Sequence, residues 1–393
     1  MPTLSERVGG LQASAIRKLD QLVRAQEGVR FHRLNIGQPD VATPAPLLDA
    51  IRAFQPEVIA YGPASGMPAC RQAAAEYHGR WSPGLDEPHV AVTVGGSEAL
   101  LFSFTAACDP GDTVLALEPY YTNYNGFATV AGARVRPIRT HLANHFRIPS
   151  DEELDTYVDR RTKAIVFSNP ANPTGAVYGR EELARLLAWA ARHDLFVIAD
   201  EVYRRIWFDN PPTSALEFPE HADRVIVVDS MSKTYSACGL RLGFLISRNE
   251  GLMEKVERLG QARLGAQPLA QHAAIAALRL DERYYDAVRA TYKERVDTMI
   301  DALARVEGVS APRPAGAFYS MVELPIDDAE HFARFLITDF RDDGESVVVA
   351  PGPGFYADPS SGRNQIRLAA VTETASIARA VEVLEKALRA YLG

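Results

Sequence analysis

The sequence predicts an α/β protein: a large domain with a mostly parallel seven-stranded sheet between helices, and a smaller α+β domain built from the C-terminal part and the N-terminal arm. Three observations lead there. At 393 residues the chain exceeds what one hydrophobic core ordinarily spans, so two cores are expected. From about Leu34 to Arg263, seven short apolar segments alternate with amphipathic helical segments, the pattern of parallel strands joined by helical crossovers. Beyond that point long helical stretches take over, with three further strand segments between them.

The first helix is expected over positions 11–27, where Ile16, Leu19, Leu22 and Val23 share one face and Gly28 supplies a C-terminal stop. The seven strands are expected at Val90–Val94, Val114–Leu117, Val135–Ile138, Lys163–Phe167, Phe196–Ala199, Val225–Val228 and Leu242–Ile246. Between the fourth and fifth, Leu183, Leu186, Leu187 and Ala190 recur at the spacing of a helix lying on a sheet. Such sheets are covered on both faces, and ligands sit beyond the C-terminal ends of their strands. A long helical stretch from Pro268 to Glu307 follows, then strands near 317–323, 346–350 and 364–370. A last helix carries Ile377, Val381, Leu384 and Leu388 on one stripe. The expected division is an arm over 1–35, a large domain over 36–265 and a small domain over 266–393.

Bulk properties narrow the function. A net charge of −8 without a basic cluster argues against a nucleic-acid partner. No apolar run reaches spanning length and the N-terminus lacks a signal-peptide pattern, so a cytoplasmic location is expected. Cys70, Cys108 and Cys238 lie far apart without a CxxC pair, which suggests neither disulfides nor zinc. His141 and His145 are four apart, but no carboxylate motif accompanies them, and no metal is expected.

The informative motifs all follow strands. Asp229-Ser230-Met231-Ser232-Lys233 comes directly after VIVV, with Arg241 eight residues beyond the lysine inside GLRLG. A lysine among small hydroxyl residues can bond an aldehyde while the hydroxyls and a guanidinium hold a phosphate. Taken alone, such a lysine reads as a surface residue beside a turn. The strand FVIA delivers Asp200, with Tyr203 three residues on. A carboxylate there suits a protonated ring nitrogen, and a phenol suits a ring oxygen; a helix cap is the bland alternative. AIVFS runs into Asn169-Pro170-Ala171-Asn172-Pro173-Thr174-Gly175, a stiff loop able to aim the Asn172 amide at a ligand. The order of these motifs carries more weight than any one of them.

In that order the sequence resembles a class I/II aminotransferase of the fold-type I pyridoxal 5′-phosphate (PLP) family, the aspartate-aminotransferase-like enzymes. The resemblance runs from Asn35-Ile36-Gly37-Gln38-Pro39-Asp40 to Arg367. It implies PLP as cofactor, attached to Lys233, with Asp200 on the ring nitrogen and Asn172 and Tyr203 on the 3′-oxygen. Ser230 and Arg241 would hold the phosphate, assisted by Ser232 and by the backbone N–H groups of Gly95, Gly96 and Ser97, which open a helix. Tyr121 would stack on the ring, and Tyr61 would reach the neighbouring subunit's phosphate in a homodimer with shared sites. Arg367 would bind the substrate carboxylate, with Gly37 allowing its close approach. Freed from the cofactor, Lys233 would shuttle a proton from the substrate Cα to the cofactor's C4′. The implied reaction moves an amino group between an α-amino acid and a 2-oxo acid.

One departure concerns specificity: aspartate-type bacterial relatives carry a lysine immediately after the Gly pair, where this chain has Ser97. A dicarboxylate preference is therefore not implied. Tyr319 is a candidate pocket residue, whereas Phe318 reads equally well as core. Two rival readings remain at this level. The same residues serve other PLP reactions, namely β- or γ-elimination, racemisation or oxygen-dependent oxidation. A non-catalytic PLP-fold regulator would need a DNA-binding extension or a basic face, and the sequence offers neither.

Overall fold

The computed structural model describes residues 3, 4, 9 and 15–393. Helix α1 (Ala15–Arg24) and strand β1 (Arg30–Arg33) come first, then α2 (Ala45–Ala53) and α3 (Pro68–Gly79). The alternating region comprises β2 (Val90–Thr93), α4 (Gly95–Ala107), β3 (Thr113–Glu118), α5 (Asn123–Ala131), β4 (Arg134–Arg139), α6 (Asp151–Asp155), β5 (Thr162–Ser168), α7 (Arg180–Arg192), β6 (Phe196–Asp200), β7 (Val225–Ser230), β8 (Gly243–Ile246) and α8 (Glu250–Arg263). It is followed by α9 (Pro268–Leu278), α10 (Glu282–Leu303), β9 (Tyr319–Glu323), α11 (Ala329–Thr338), β10 (Glu345–Val348), β11 (Ala350–Pro351), β12 (Gln365–Ala369) and α12 (Thr374–Leu392).

All seven strands expected in the large sheet are present within one or two residues of their expected ends. They pair in the order β2-β8-β7-β6-β5-β3-β4, with β8 antiparallel to both neighbours and the other contacts parallel. Every residue of β3 and β7 is buried, which explains why these strands read as unbroken apolar runs. Successive residues still point to opposite faces. Val114 and Ala116 join one core, Leu115 and Leu117 the other. On one face α7 buries Leu183, Leu186, Leu187 and Ala190, the stripe its spacing foretold.

A third core gathers Leu19 and Val23 of α1 with Val296, Met299, Ile300 and Leu303 of α10 and Ile377, Val381, Leu384 and Leu388 of α12. Strands β11, β12 and β9 form an antiparallel sheet beside it, and β1 pairs in parallel with β10. The N-terminal arm thus packs on the C-terminal part of the chain.

Two expectations need correction. The first helix ends at Arg24 rather than continuing to Glu27, because Ala25 and Gln26 bond to the carbonyls of Leu22 and Val23 and wind it off. Its expected residues 11–14 lie outside the described ones, as does the Ile16 side chain. The helical stretch from Pro268 to Glu307 is two helices, α9 and α10, since Asp281 accepts a hydrogen bond from Arg283 N–H and caps a new start. Helix α9 and the first half of α10 pack with the first two cores, through Ala270, Ala273 and Ala274 and through Val288 and Tyr292. Among the described residues no helix is long and apolar enough to cross a membrane.

Candidate active site

The loops after β5, β6 and β7 converge beyond the C-terminal ends of these adjacent parallel strands, bringing together Asn172, Asp200 and Lys233. Lys233 Nζ donates to the Gly37 carbonyl at 2.7 Å and lies 5.8 Å from the centre of the Tyr203 ring. Asp200 is 5% exposed. Its Oδ2 accepts from the Tyr124 hydroxyl at 3.0 Å, whereas its Oδ1 is buried without a partner. Burial pushes the Asp200 carboxyl up to about 7; the Tyr124 hydrogen bond and the Lys233 charge oppose this, and nearby Asp229 adds to it. No α-helix lies between β6 and β7, so Asp200 caps nothing.

Arg367, on β12, is buried and enters from the opposite side. Its guanidinium donates to Asn172 Oδ1 at 3.1 Å and to the Asn35 carbonyl at 2.6 Å. The rings of Tyr319 and Phe355 lie 4.4 and 4.8 Å from its central carbon. Its Nε is buried and unpartnered, leaving a donor for a further acceptor. Tyr203 and Tyr319 share a hydrogen bond of 3.0 Å.

Gly95, Gly96, Ser230 and Arg241 form a second focus at the N-terminus of α4. Gly95 has φ of 77°, and a Cβ there would stand 2.6 Å from an Arg241 guanidinium nitrogen. A Cβ on Gly243 would stand 2.5 Å from Gly95 C and 2.6 Å from Gly96 N, so backbone is packed against backbone. Ser230 approaches Gly96 closely enough to touch such an atom, and its Oγ accepts from Ser232 N–H at 3.2 Å. Free N–H groups at a helix start, a hydroxyl and a guanidinium together suit a phosphate. Ser97 is half-buried in the first turn of the same helix.

Tyr121 packs edge-on against Tyr124, with ring centres 5.6 Å apart. Its hydroxyl is pushed up to about 12, chiefly by burial and then by Asp200 and Tyr319, as befits a ring at this site. Tyr61 stands apart. It is 86% exposed, near the exposed Val58 and Ile59.

The pocket fits the ring and phosphate that the resemblance implies. The buried, partnerless Asp200 Oδ1 needs a cation or a donor, and the cradle at Gly95 and Gly243 is kept open by missing side chains. Sequence reasoning overlooked Tyr124, Phe355 and the Asn35 carbonyl. Only Tyr124 left a local signal, standing three residues after Tyr121. Phe318 is fully buried core, whereas Tyr319 meets both Tyr203 and Arg367. Among the described residues no group of side chains could hold a metal, and all three cysteines are free. Gly352–Phe355 is a 3-10 turn.

Comparison with known proteins adds a second line of observation. The family model Aminotransferase class I and II matches residues 30–384. The aspartate aminotransferase of Thermotoga maritima is 31% identical over 388 residues, covering 98% of each chain. The arginine–pyruvate transaminase AruH of Pseudomonas aeruginosa is 33% identical over 339 residues, 85% of this chain and 84% of that one. The solved alanine aminotransferase of Pyrococcus furiosus superimposes with a TM-score of 0.91 at 29% identity, covering 99% of this chain and 100% of its own.

Proposed function

This chain belongs to the class I and II aminotransferases and, as a PLP-dependent transaminase, moves an amino group between an α-amino acid and a 2-oxo acid; from that premise we propose the roles of its residues, its assembly and its substrate preference. The observation that carries the residue assignment is the buried Asp200 carboxylate with one oxygen partnerless, beside Lys233.

Bound PLP supplies an electron sink for the charge left when the substrate's Cα–H bond breaks. Lys233 would leave the Gly37 carbonyl to carry the cofactor and, when not bonded to it, would be the base that removes the Cα proton. Asp200 Oδ1 would accept a hydrogen bond from the protonated ring nitrogen and keep it charged, while Tyr124 fixes the other carboxylate oxygen. Asn172 and Tyr203 would donate to the 3′-oxygen, and Tyr121 would cover one face of the ring. Arg241, Ser230, Ser232 and the backbone of Gly95, Gly96 and Ser97 would hold the phosphate. Arg367, held between two aromatic rings, binds the substrate carboxylate beside Asn172 and Gly37.

The assembly is a homodimer in which Tyr61 completes the neighbour's phosphate site. Three large exposed side chains within four residues, Val58, Ile59 and Tyr61, support this reading, because such a patch ordinarily meets a partner. Within each subunit residues 1–35 join a small C-terminal domain over 266–393, a reading supported by the packing of α1 against α10 and α12. The enzyme works in the cytoplasm in amino-acid metabolism, as its composition and biosynthetic chemistry suggest.

The relatives' names mention aspartate most often, with prephenate, arginine and alanine beside it, so they do not fix the donor of this chain. Ser97 supplies no cation for a second carboxylate, and we favour donors other than dicarboxylates. The test is to mix the purified holoenzyme anaerobically with each proteinogenic amino acid. A reversible loss of the cofactor band at roughly 360–430 nm, regained with an oxo acid, identifies the donor. Release of ammonia in that mixture, or of peroxide once oxygen is admitted, would instead assign an elimination or oxidase reaction.

A further inference from the structure

We infer that Tyr319 is a positioning residue that acts through Tyr203, its hydroxyl donating to the Tyr203 oxygen so that the Tyr203 proton points at the cofactor's 3′-oxygen. This rests on the reading of Tyr203 as a cofactor contact. The two hydroxyls are 3.0 Å apart, and either could donate in that bond. A phenol has one proton. If Tyr203 gives its proton to the 3′-oxygen, the bond between the tyrosines must run from Tyr319 to Tyr203. Hydrogen bonds running in one direction polarise one another, which makes Tyr203 the stronger donor.

Tyr319 is held for this task from several sides. Its strand β9 places it opposite Ala369 of β12, and its ring lies against the Arg367 guanidinium. Its hydroxyl occupies the space that a side chain at Gly37 would fill. Both tyrosines are almost fully buried and meet edge to face, with ring centres 5.6 Å apart. The charged and titratable groups facing Tyr203 are Tyr319 and Arg367 from β9 and β12, Asp200 at the end of β6, and Lys233 from the loop after β7. Burial, followed by Tyr319 and Asp200, raises the Tyr203 hydroxyl well above its ordinary value despite Arg367, so the phenol keeps its proton at neutral pH.

The test follows the visible absorption of the bound cofactor in the holoenzyme as pH is raised, comparing Tyr319→Phe, Tyr203→Phe and the double variant. A donor to the 3′-oxygen stabilises its negative charge most when the neighbouring Lys233 nitrogen has lost its proton, so losing a donor raises the midpoint. Tyr203→Phe is expected to raise it by about one pH unit. Tyr319→Phe should raise it by about 0.3 pH unit with KM retained, since the ring still lies on Arg367. The double variant should match Tyr203→Phe alone. An unmoved midpoint in Tyr319→Phe while Tyr203→Phe moves, or two shifts that simply add, overturns the relay. An unmoved midpoint in Tyr203→Phe overturns the Tyr203 reading itself.

Discussion

Lys233 Nζ donates a 2.7 Å hydrogen bond to the carbonyl of Gly37, a residue 196 positions away. The ammonium group is thereby parked at the edge of the cofactor pocket, within 5.8 Å of the Tyr203 ring centre. Lys233→Ala should abolish covalent cofactor attachment and lower turnover by at least about 10⁴-fold, since base and anchor are lost together. Borohydride reduction followed by peptide mass spectrometry should mark Lys233 in the native enzyme. A label on another lysine would move the attachment site.

Asp200 makes stability depend on pH differently with and without cofactor. In the cofactor-free protein burial lifts its carboxyl from 3.8 to about 7, so the folded chain holds a proton that the unfolded chain has released. That contribution is complete below about pH 3.8 and is lost as pH rises to about 7, amounting to about 4 kcal/mol at most. Cofactor-free enzyme should therefore melt lower at pH 8 than at pH 5 relative to Asp200→Asn. Holoenzyme should lose this difference, because the protonated ring nitrogen keeps the carboxylate ionised at both pH values. Asp200→Asn should also lose about 10²- to 10³-fold in turnover. Melting differences that ignore both pH and cofactor would contradict the ring-nitrogen assignment.

Arg367 combines a planar donor fork with two flanking rings. Arg367→Lys keeps the charge but loses the fork and the stacking, so KM for both amino acid and oxo acid should rise by about 10- to 100-fold. Steady-state kinetics for the forward and reverse half-reactions will check it. An unchanged KM in both directions would place the carboxylate elsewhere.

Gly243 touches the backbone of Gly95 and Gly96 without a side chain between them. Gly243→Ala should push the α4 N-terminus away from Ser230 and Arg241 and weaken PLP binding by about tenfold or more. Equilibrium dialysis of the variant reads this directly. Wild-type affinity would mean that the glycine contact does not shape the phosphate cradle.

Tyr61→Ala should weaken cofactor retention in the assembled enzyme by about tenfold, and sedimentation should give a dimer. A monomer that retains full activity would remove the shared-site reading.

Much of the site was legible because its residues stand at strand ends, where short motifs and local turn chemistry mark them. Asp200, Lys233 and Asn172 follow three consecutive apolar strands, and the parallel pairing of β5, β6 and β7 sets their loops side by side. Strand β1 was missed because Arg30-Phe31-His32-Arg33 has little apolar pattern and exists as a strand by pairing with β10. Helices α2 and α3 went unread too; three of the six residues that α3 buries are alanines, which leave a weak stripe.

The sequence by itself determined the fold class, the strands of the large sheet, the family resemblance and the motif residues, because hydrophobic period and turn chemistry act over a few neighbouring residues. Only the tertiary structure decided that Tyr124 holds Asp200, that Tyr319 bonds Tyr203, and that Arg367 lies between two rings while holding the Asn35 carbonyl. Those pairs lie 76, 116 and 332 residues apart for Tyr124–Asp200, Tyr203–Tyr319 and Asn35–Arg367. No local pattern encodes them. They arise from the crossover of strands and the register of β9 against β12, and burial then makes each polar contact costly to lose.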